Sequence, residues 1–475
     1  FFHAESGILD AQESRGLGDV YKRQSEDYIR KEYFSDLTRW QSWLDVESAL
    51  ALVQSEIDII PSWAATVISK KSKISLINQT ELKKIIKDTG TGVFSLTKSL
   101  SNICGEAGKF VHWGATTQNI VDTGLLIVLK KYHSEMMIVI SEILKKLSFI
   151  SKTNSKTIMI GRTLSRHALP ITYGFKVAIW IENFSELADQ IIETEKRLFK
   201  LRFGGAVGGF HSFEKDGYEL SNRLAKKLGL DIASVQDRTS TEPFMEYLMK
   251  LTMIGQLVKK IIDDFYFLNT EGIDEIIEVL PETDVGSSTM PQKINPKKII
   301  DLKPKCNKLR QYLGSIMSFD LPSNEGDKSS NDEIRENIKS ICPLALSVLY
   351  KFNHLLDVVK PNKKKMFENV KNSEIFTASE KLQMELAKNL GKVPAHDLVN
   401  DLVKEANCDQ KKYRKLLFNN KFIKEKLSNS DLEKILIAEN NIGECPSIAN
   451  KMSKFGMKKS AEIFKKYQNL SLIHI

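Results

Sequence analysis

Long stretches of apolar residues at helical spacing are the feature that most restricts the fold of this chain. Between positions 173 and 201 the apolar residues recur mostly three or four positions apart: Val177, Trp180, Ile181, Phe184, Leu187, Ala188, Ile191 and Leu198. Similar patterns cover 121–150, 243–269, 297–319 and 333–358. Helices of that length bury their apolar faces by packing along one another. The sequence therefore predicts an all-α fold around a central bundle of long helices.

Breaks in the helical pattern divide the 475 residues into regions. A chain of this length is expected to form two or three domains. We predict an N-terminal helical domain at 25–111, a central long-helix domain at 112–360 and a C-terminal helical domain at 361–475. Residues 1–24 share no periodicity with the rest and resemble translated sequencing-adapter sequence, so we expect them to be a non-native or disordered leader.

The charge and the cysteines exclude several classes of protein. The net charge is +9, but the lysines are scattered and no basic motif interleaved with aromatic residues is present, so we expect no nucleic-acid partner. A site for an anionic small molecule explains the positive net charge better than a nucleic-acid partner does. The longest apolar runs are too short to cross a membrane. Five widely spaced cysteines without a CxxC pair predict neither disulfides nor a metal site, and favour a reduced, cytoplasmic location.

The first polar stretch, "VHWGATTQN" at 111–119, precedes a long helical pattern. Hydroxyl groups and backbone amides at the start of a helix suit a bound anion such as a carboxylate, which makes His112, Thr116 and Thr117 candidate site residues. In the alternative interpretation one of the two threonines simply caps the helix.

The second polar stretch, "GRTLSRHALPITYG" at 161–174, contains Arg162 and His167 before a helix that we expect Pro170 to initiate. A histidine here could serve as a general acid or fill a structural role. The third stretch, "RFGGAVGGF" at 202–210, has neither of the common phosphate-binding glycine spacings, so we interpret it as a tight turn between two helices.

The fourth polar stretch, "GSSTMPQKINP" at 286–296, cannot be a helix interior because its prolines remove amide donors. The backbone amides around Ser287 and Ser288 can form a concave anion site. Lys293 and Asn295 are two residues apart and face the same side of an extended loop. The alternative is a solvated loop in which the serines cap a helix and the lysine is a surface charge.

Together these stretches offer hydroxyls, amides, lysine and arginine, all of which bind carboxylates. They contain neither a metal cluster nor a nucleotide fingerprint. That set of groups suits removal of a proton next to a carboxylate, because fixed cations and amides stabilise the resulting enolate-like dianion.

The fourth stretch resembles the signature G-S-S-x-M-P-x-K-x-N-P of the fumarase/aspartase superfamily. The resemblance extends from about residue 26 to 470. "VHWGATTQNIVDTG", "FGGAVGG" and "ASEKLQMELAKNLGKVPAHDLV" (378–399) are similar to the branch that contains 3-carboxy-cis,cis-muconate cycloisomerase and adenylosuccinate lyase. The resemblance implies a three-domain α fold, a homotetramer with each active site drawn from three subunits, and no cofactor or metal. It also implies elimination of fumarate from a succinyl-type group, or the related lactonisation.

Carried over by position, the resemblance implies that Ser287 is the general base and that Lys293 and Asn295 hold the substrate carboxylate. Many fumarate-eliminating members have a histidine directly after "GRT", but this position is occupied by Leu164 here. His167, three residues further on, is therefore our candidate general acid. The remaining positions assigned to substrate binding are His112, Thr116, Thr117, Arg162, Gln236, Ser288 and Arg335.

Two departures bear on the substrate. Leu164 and Ile294 replace residues that are common in adenylosuccinate lyases, whereas muconate cycloisomerases also lack the histidine at the first position. We therefore favour a cofactor-independent lyase or cycloisomerase of the muconate type acting on a polycarboxylate. The alternatives are an adenylosuccinate lyase and a non-catalytic helical-bundle relative.

Overall fold

The computed structural model of the protein describes residues 25–279, 289–290, 292–320 and 322–468. The predicted leader at 1–24 lies outside the described residues. Helices dominate the described part, and the all-α prediction is confirmed.

The N-terminal region is built from short helices around one longer helix. It contains α1 (Glu26–Phe34), α2 (Asp36–Glu56), α3 (Ser62–Lys71), α4 (Gln79–Thr89) and α5 (Gly92–Cys104), with 3₁₀ turns at Ile74–Leu76 and Gly105–Phe110. The longer helix, α2, buries Trp40, Trp43 and Leu44 and packs against the central bundle. The N-terminal region therefore shares its apolar core with the bundle.

The central region contains the long helices that the apolar patterns predict. They are α6 (Thr117–Thr153), α7 (Tyr173–Leu198), α9 (Glu242–Leu268), α10 (Lys297–Met317) and α11 (Lys328–Val358), with the shorter α8 (Gly217–Leu228) between α7 and α9. Helix α7 begins where the Thr172 hydroxyl accepts a hydrogen bond from the Phe175 amide at 3.2 Å. Its predicted apolar face, including Val177 and Ile181, is fully buried.

The C-terminal region divides into two parts. It contains α12 (Lys363–Lys371), α13 (Glu374–Thr377), α14 (Ser379–Leu390), α15 (Lys392–Ala406), α16 (Gln410–Asn419), α17 (Lys421–Lys426), α18 (Asn429–Leu436), a 3₁₀ turn at Ala438–Asn441 and α19 (Cys445–Tyr467). Residues between 378 and 436 form an apolar core of their own. Helix α19 instead packs along α6 and α7, so the last helix of the 361–475 region completes the central bundle.

Small residues let α19 approach the bundle closely. The hydroxyls of Ser453 and Ser460 donate hydrogen bonds to the backbone oxygens of Ser148 and Ser141 on α6, at 2.8 and 2.7 Å. Between them, a Cβ atom added to Gly456 would lie 2.3 Å from the Ser148 hydroxyl. This contact leaves no space for a larger side chain at position 456.

Residues 158–172 form a β-hairpin, which corrects the sequence analysis. Strand β1 (Ile158–Thr163) pairs with β2 (Arg166–Thr172), and Pro170 lies in β2 opposite Ile160. The helix begins three residues later than expected, since Pro170 continues the extended strand. Leu164 and Ser165 form the turn with φ of +49° and +60°, a left-handed conformation that these residue types seldom adopt.

The other strand pairs are short. Strand β3 (Lys200–Leu201) runs parallel to β4 (Asp231–Ile232), and β5 (Ile276–Glu278) runs antiparallel to β6 (Val359–Pro361). The glycine-rich stretch 202–210 follows β3 as an irregular turn, as predicted. A Cβ atom at Gly208 would lie 2.2 Å from the Gln236 backbone oxygen, and φ there is +87°, so the turn requires glycine.

The long helices give the bundle two distinct ends. Helix α6 has 37 residues and spans roughly 55 Å at about 1.5 Å per residue. At the Thr116 end, Asp122 near the start of α6 contacts Arg335 near the start of α11 at 2.6 Å. At the hairpin end, Ser151 near the end of α6 donates to the Gly174 oxygen just beyond the hairpin at 2.8 Å.

Within the described ranges no helix combines the length and apolar content of a membrane span. The same ranges contain no group of three or more His, Cys, Asp or Glu side chains placed to hold a metal ion. The cysteines are free thiols, and Cys104, Cys306 and Cys342 are buried.

A buried polar cluster fastens the end of α19 to the bundle. The Glu195 carboxylate on α7 accepts hydrogen bonds from Lys466 at 2.8 Å and from the Tyr467 hydroxyl, and it contacts His133 Nε2 at 2.9 Å. Partial burial alone would raise the pKa of Glu195, but its bonds with His133, Lys466 and Tyr467 outweigh burial and bring the pKa to about 2. The ionised carboxylate therefore stabilises the docked helix.

We expect this cluster to make the fold sensitive to acid. A carboxylate with a lowered pKa stabilises the folded state above its unfolded pKa, and that stability is lost as the pH falls from 4.5 toward 2. Replacing Glu195 with Gln should lower the free energy of unfolding at neutral pH. The difference from wild type should narrow as the pH falls through that window, as measured by urea unfolding followed by circular dichroism. A difference independent of pH would contradict the assignment.

Candidate active site

A cleft of about 740 Å³ opens at the Thr116 end, where the N-terminal region meets the starts of α6 and α11. Thr116, Thr117 and Gln118 line one side, and the turn between α4 and α5 at 90–92 lines another. Its volume is within the range of small-molecule sites. Of the residues predicted to bind substrate, the cleft brings together Thr116, Thr117 and Arg335.

The start of α6 is held by a buried asparagine. Asn119 Oδ1 accepts hydrogen bonds from the amides of Thr116 at 3.3 Å and Gly205 at 3.2 Å, and its Nδ2 donates to the Arg202 oxygen at 3.3 Å. Thr116 occupies the N-cap position with an extended backbone. The Asn119 side chain therefore holds this helix start together, and the arrangement is compatible with anion binding because the amides at a helix start attract negative charge.

Arg238 also lines the cleft, and the sequence analysis did not single it out. Its guanidinium donates to Gln118 Oε1 at 2.8 and 2.6 Å and to the Ala206 oxygen, while Gln118 Nε2 donates back to the Arg238 oxygen at 3.1 Å. These contacts fix a cation beside the first turn of α6. Because its partners are neutral oxygens, the charge of Arg238 remains available to a ligand.

The charged residues that line the cleft are mostly basic. Six are basic and three are acidic: Arg39, Lys83, Arg238, Lys328, Arg335 and Lys339 against Asp36, Asp332 and Glu336. The guanidinium of Arg335 bridges Asp122 at 2.6 Å and Asp332 at 2.8 Å, which orients it but offsets its charge. The excess of positive charge favours a polyanionic ligand.

His112 lies four residues before Thr116, outside the residues that line the cleft. Its Nδ1 contacts Glu47 Oε1 at 2.6 Å, and its backbone amide donates to Glu47 Oε2 at 3.1 Å. Burial alone would lower the pKa of His112, but the hydrogen bond and the charge of Glu47 outweigh burial and raise it. The pair therefore favours an imidazolium.

The hairpin end holds Arg162 and His167, which are opposite each other in the β1–β2 register. Arg162 donates to both carboxylate oxygens of the fully buried Glu275, at 2.9 and 2.7 Å. His167 Nδ1 contacts the Ser373 hydroxyl at 2.9 Å. Partial burial and the nearby Arg162 charge lower the pKa of His167, so the neutral imidazole predominates at neutral pH.

Gln236 is buried in the glycine-rich turn rather than exposed in the cleft. Its Oε1 accepts from the Phe203 amide at 2.6 Å, and its Nε2 donates to the Ala233 oxygen at 2.7 Å. Both ends of the amide therefore have partners within this chain. Its predicted contact with substrate remains a prediction.

The signature loop lies partly outside the described residues, which exclude Ser287 and Ser288. Lys293 is exposed, and its amide donates to the Met290 oxygen at 3.0 Å in a non-helical turn. Asn295 is half-buried just before α10. Glu278 of β5 accepts from the first amides of α10, at 2.7 Å from Lys298, which fixes the base of the loop beside β5 and β6.

One chain therefore places the predicted residues at two ends of the bundle. Strand β5 follows Glu275, which binds Arg162, so the base of the signature loop lies near the hairpin end. Thr116, Thr117, Arg238 and Arg335 lie at the other end. Among the residues that the structure describes, these two groups are at opposite ends of the bundle.

The sequence matches known protein families along most of its length. Residues 21–310 match the family described as "Lyase", and 376–452 match "Adenylosuccinate lyase C-terminus". The chain belongs to this lyase family. It is an enzyme of the fumarase/aspartase superfamily, as the signature loop predicted.

Individual relatives extend the comparison. Adenylosuccinate lyase from Methanothermobacter thermautotrophicus is 31% identical over 411 residues, which cover 85% of this chain and 91% of that protein. N-acetyl-S-(2-succino)cysteine lyase from Enterococcus italicus is 28% identical over 412 residues, which cover 87% and 90%. The structure of 3-carboxy-cis,cis-muconate lactonizing enzyme from Pseudomonas putida superimposes with a TM-score of 0.82 at 23% identity, covering 91% and 97%. This lyase therefore has the superfamily's fold.

The cationic cleft predicts a specific loss of affinity. Replacing Arg238 with Met should weaken binding of fumarate roughly ten- to hundred-fold, because a hydrogen bond to a charged group contributes about 1.5–3 kcal/mol. Isothermal titration calorimetry measures this directly. Arg197→Met removes an exposed guanidinium paired with Glu246 on α9 and is the matched control. Equal affinity in the two variants would exclude Arg238 from the site.

Proposed function

We propose that this lyase removes a proton next to a carboxylate of a succinyl-type polycarboxylate and expels the substituent, releasing fumarate. The observation that carries the proposal is the cationic cleft at the start of α6. The helix amides there, together with Arg238, offer a fixed positive environment for a carboxylate. The names of two relatives, adenylosuccinate lyase and N-acetyl-S-(2-succino)cysteine lyase, refer to succinyl compounds and support this choice.

The apolar part of the cleft supports a substrate larger than a four-carbon diacid. It is lined by Tyr33, Phe34, Trp40, Trp43, Ile86, Val93, Val121, Leu125 and Val128. The indole N–H of Trp40 is buried and has no acceptor among the described atoms. We therefore propose that the expelled substituent has an apolar or flat body with a hydrogen-bond acceptor.

The reaction needs a general base, groups that stabilise the developing negative charge, and a general acid. Ser287 is our proposed base, which takes the proton from the carbon next to the carboxylate. The electron pair of that C–H bond then resides on an aci-carboxylate, which Lys293 and Asn295 stabilise. Collapse of this intermediate forms the double bond of fumarate and breaks the bond to the substituent, which leaves with the bonding electrons and acquires a proton.

His167 is our proposed donor of that proton. Its lowered pKa means that the free enzyme holds mostly neutral imidazole. A bound polyanionic substrate would raise the pKa and favour the protonated form. The hydrogen bond between Nδ1 and Ser373 leaves Nε2 as the ring atom that can donate to the leaving group.

A second chain is needed to bring these groups together. Thr117 and Arg238 lie at one end of the bundle, and Lys293 and His167 are associated with the other. A copy that packs antiparallel along the bundle would place its hairpin end beside the Thr116 end of its neighbour. We propose that the site is shared in this way within a homotetramer.

Lactonisation of a carboxymuconate is the second candidate. Leu164, which replaces the histidine of many fumarate-eliminating relatives, favours it. Leu164 is at the tip of the hairpin, and 97% of its surface is exposed in the single chain. A leucine side chain has no proton to donate, so position 164 does not supply a general acid. In this reaction a carboxylate oxygen forms a bond to one carbon of a double bond, and the π electron pair moves onto the neighbouring carboxylate as an aci-carboxylate. A proton is then delivered to carbon, and no leaving group departs.

Mixing two inactive variants tests the shared site. Arg238→Met and Lys293→Met change opposite ends of the chain, so each alone should lower kcat/KM strongly. After the subunits are unfolded together and refolded at equal ratio, roughly a quarter of the sites should carry both native ends and regain activity. Arg238→Met mixed with Thr117→Val is the matched control, because both changes are at one end and no recovery is expected.

The shared-site proposal fails if the first mixture is no more active than its better parent. Light scattering of the refolded mixture establishes whether assembly occurred. A particle with the mass of one chain would contradict the tetramer directly.

Proton NMR of parallel reactions distinguishes the substrates. We expect fumarate from adenylosuccinate or from N-acetyl-S-(2-succino)cysteine, and no product with Ser287→Ala as the catalyst. Lactone from 3-carboxymuconate without fumarate from either succinyl compound would favour the second candidate. Full turnover by Ser287→Ala would exclude this serine as the base.

A further inference from the structure

The turn that leads into the cleft is held by a buried carboxylate from another helix. Glu47, on α2, has 2% of its surface exposed and contacts both the ring and the backbone amide of His112, at 2.6 and 3.1 Å. Gln54, two turns later on α2, donates to the Trp113 oxygen at 2.8 Å. One face of α2 therefore fixes the backbone and side chain that precede Thr116.

The backbone of His112 shows that this contact imposes a conformation. His112 has φ of +62°, in the left-handed region that a non-glycine residue seldom occupies. Strain of this kind persists only where surrounding contacts determine the conformation. Glu47 supplies two of these contacts, and Gly114, two residues further on, continues the turn with φ of +71°.

The charge of Glu47 also requires a partner. A carboxylate removed from water is costly unless an opposite charge and hydrogen-bond donors compensate it. His112 provides a ring N–H and a backbone N–H. In return, Glu47 raises the pKa of His112. Because Nδ1 is committed to Glu47, Nε2 is the ring nitrogen that can donate to a ligand.

We propose that Glu47 is a positioning residue for the active site: it holds the turn and the ring of His112, beside the cleft, in the orientation that lets Nε2 donate to a substrate carboxylate bound near the start of α6. The inference rests on the proposed function for the identity of the ligand. The effect of Glu47 on His112 can be measured without turnover. Glu47 lies on α2 and acts through His112, without contacting the reacting atoms.

The first measurement is the pKa of His112 itself. Exchange of the imidazole C2 hydrogen with deuterium, followed by mass spectrometry of peptides, reports the pKa of individual histidines in the full-length enzyme. Replacing Glu47 with Gln should lower the pKa of His112, because the hydrogen bond and the charge that raise it are both lost. Glu47→Asp keeps the charge and should restore most of the shift.

The second measurement is the affinity for fumarate as a function of pH. Wild type should bind more weakly as the pH rises through the pKa of His112, because the imidazolium is then lost. Glu47→Gln should bind about tenfold more weakly near neutral pH, and its pH dependence should move to lower pH together with the pKa of His112. In turnover assays KM should rise more than kcat falls.

Glu195→Gln is the matched control. It removes a carboxylate from a different buried His–Glu pair, with His133 at 2.9 Å, in the bundle rather than beside the cleft. It should leave the fumarate affinity and its pH dependence at wild-type values. Circular dichroism and light scattering confirm that each variant is folded and assembled.

An unchanged pKa of His112 in Glu47→Gln would overturn the inference. So would a lowered pKa with unaltered fumarate affinity, which would assign Glu47 a purely structural role. If Glu47→Gln does not fold, Glu47→Asp decides: loss of fumarate affinity despite a retained pKa would contradict the proposed role. Failure of every candidate substrate to turn over would count against the proposed function alone, since neither measurement requires turnover.

Discussion

The length of α6 and α11 determines how chemistry can be arranged in this protein. A continuous helix cannot fold back, so groups at its two ends remain tens of ångströms apart in one chain. The cleft forms where α6 and α11 begin, and the hairpin and the base of the signature loop form where they end. In the described part of the chain, each end carries groups suited to a carboxylate. The bundle therefore acts as a rigid spacer within the chain.

The two His–Glu pairs show that the surroundings of a pair decide whether the pKa of its histidine is raised or lowered. Both histidines contact a carboxylate within 3 Å, but the pKa of His112 is raised and that of His133 is lowered. His133 is almost completely buried beside the positive charges of Lys466 and Lys130, so its protonated form is disfavoured despite Glu195. His112 is partly exposed, so burial lowers its pKa less than the hydrogen bond and the charge of Glu47 raise it. The His133–Glu195 pair stabilises the docked helix through polar contacts, whereas in the His112–Glu47 pair the imidazole can carry a positive charge.

Local periodicity predicted the long helices well because their apolar faces repeat along the sequence. The hairpin at 158–172 was missed since Leu164 and Ser165 give no turn signal of the Asn-Gly kind, and tertiary contacts impose their left-handed conformation. Thr116 and Thr117, which line the cleft, could be proposed from the sequence because they begin a helix. Arg238 was missed since its partner Gln118 is 120 positions away. Long-range contacts of this kind, like that of Arg162 with Glu275, leave no pattern in a local window of sequence.

The position of α19 has a consequence for how the protein is made. The main core is assembled from helices of the N-terminal and central regions together with α19, which covers the faces of α6 and α7. Helices α6 and α7 end at Thr153 and Leu198, so during synthesis their apolar faces leave the ribosome well before α19, which begins at Cys445. They must remain uncovered, or be shielded by chaperones, until α19 has been synthesised. Translation rate and chaperone supply thus become part of what determines the yield of active enzyme.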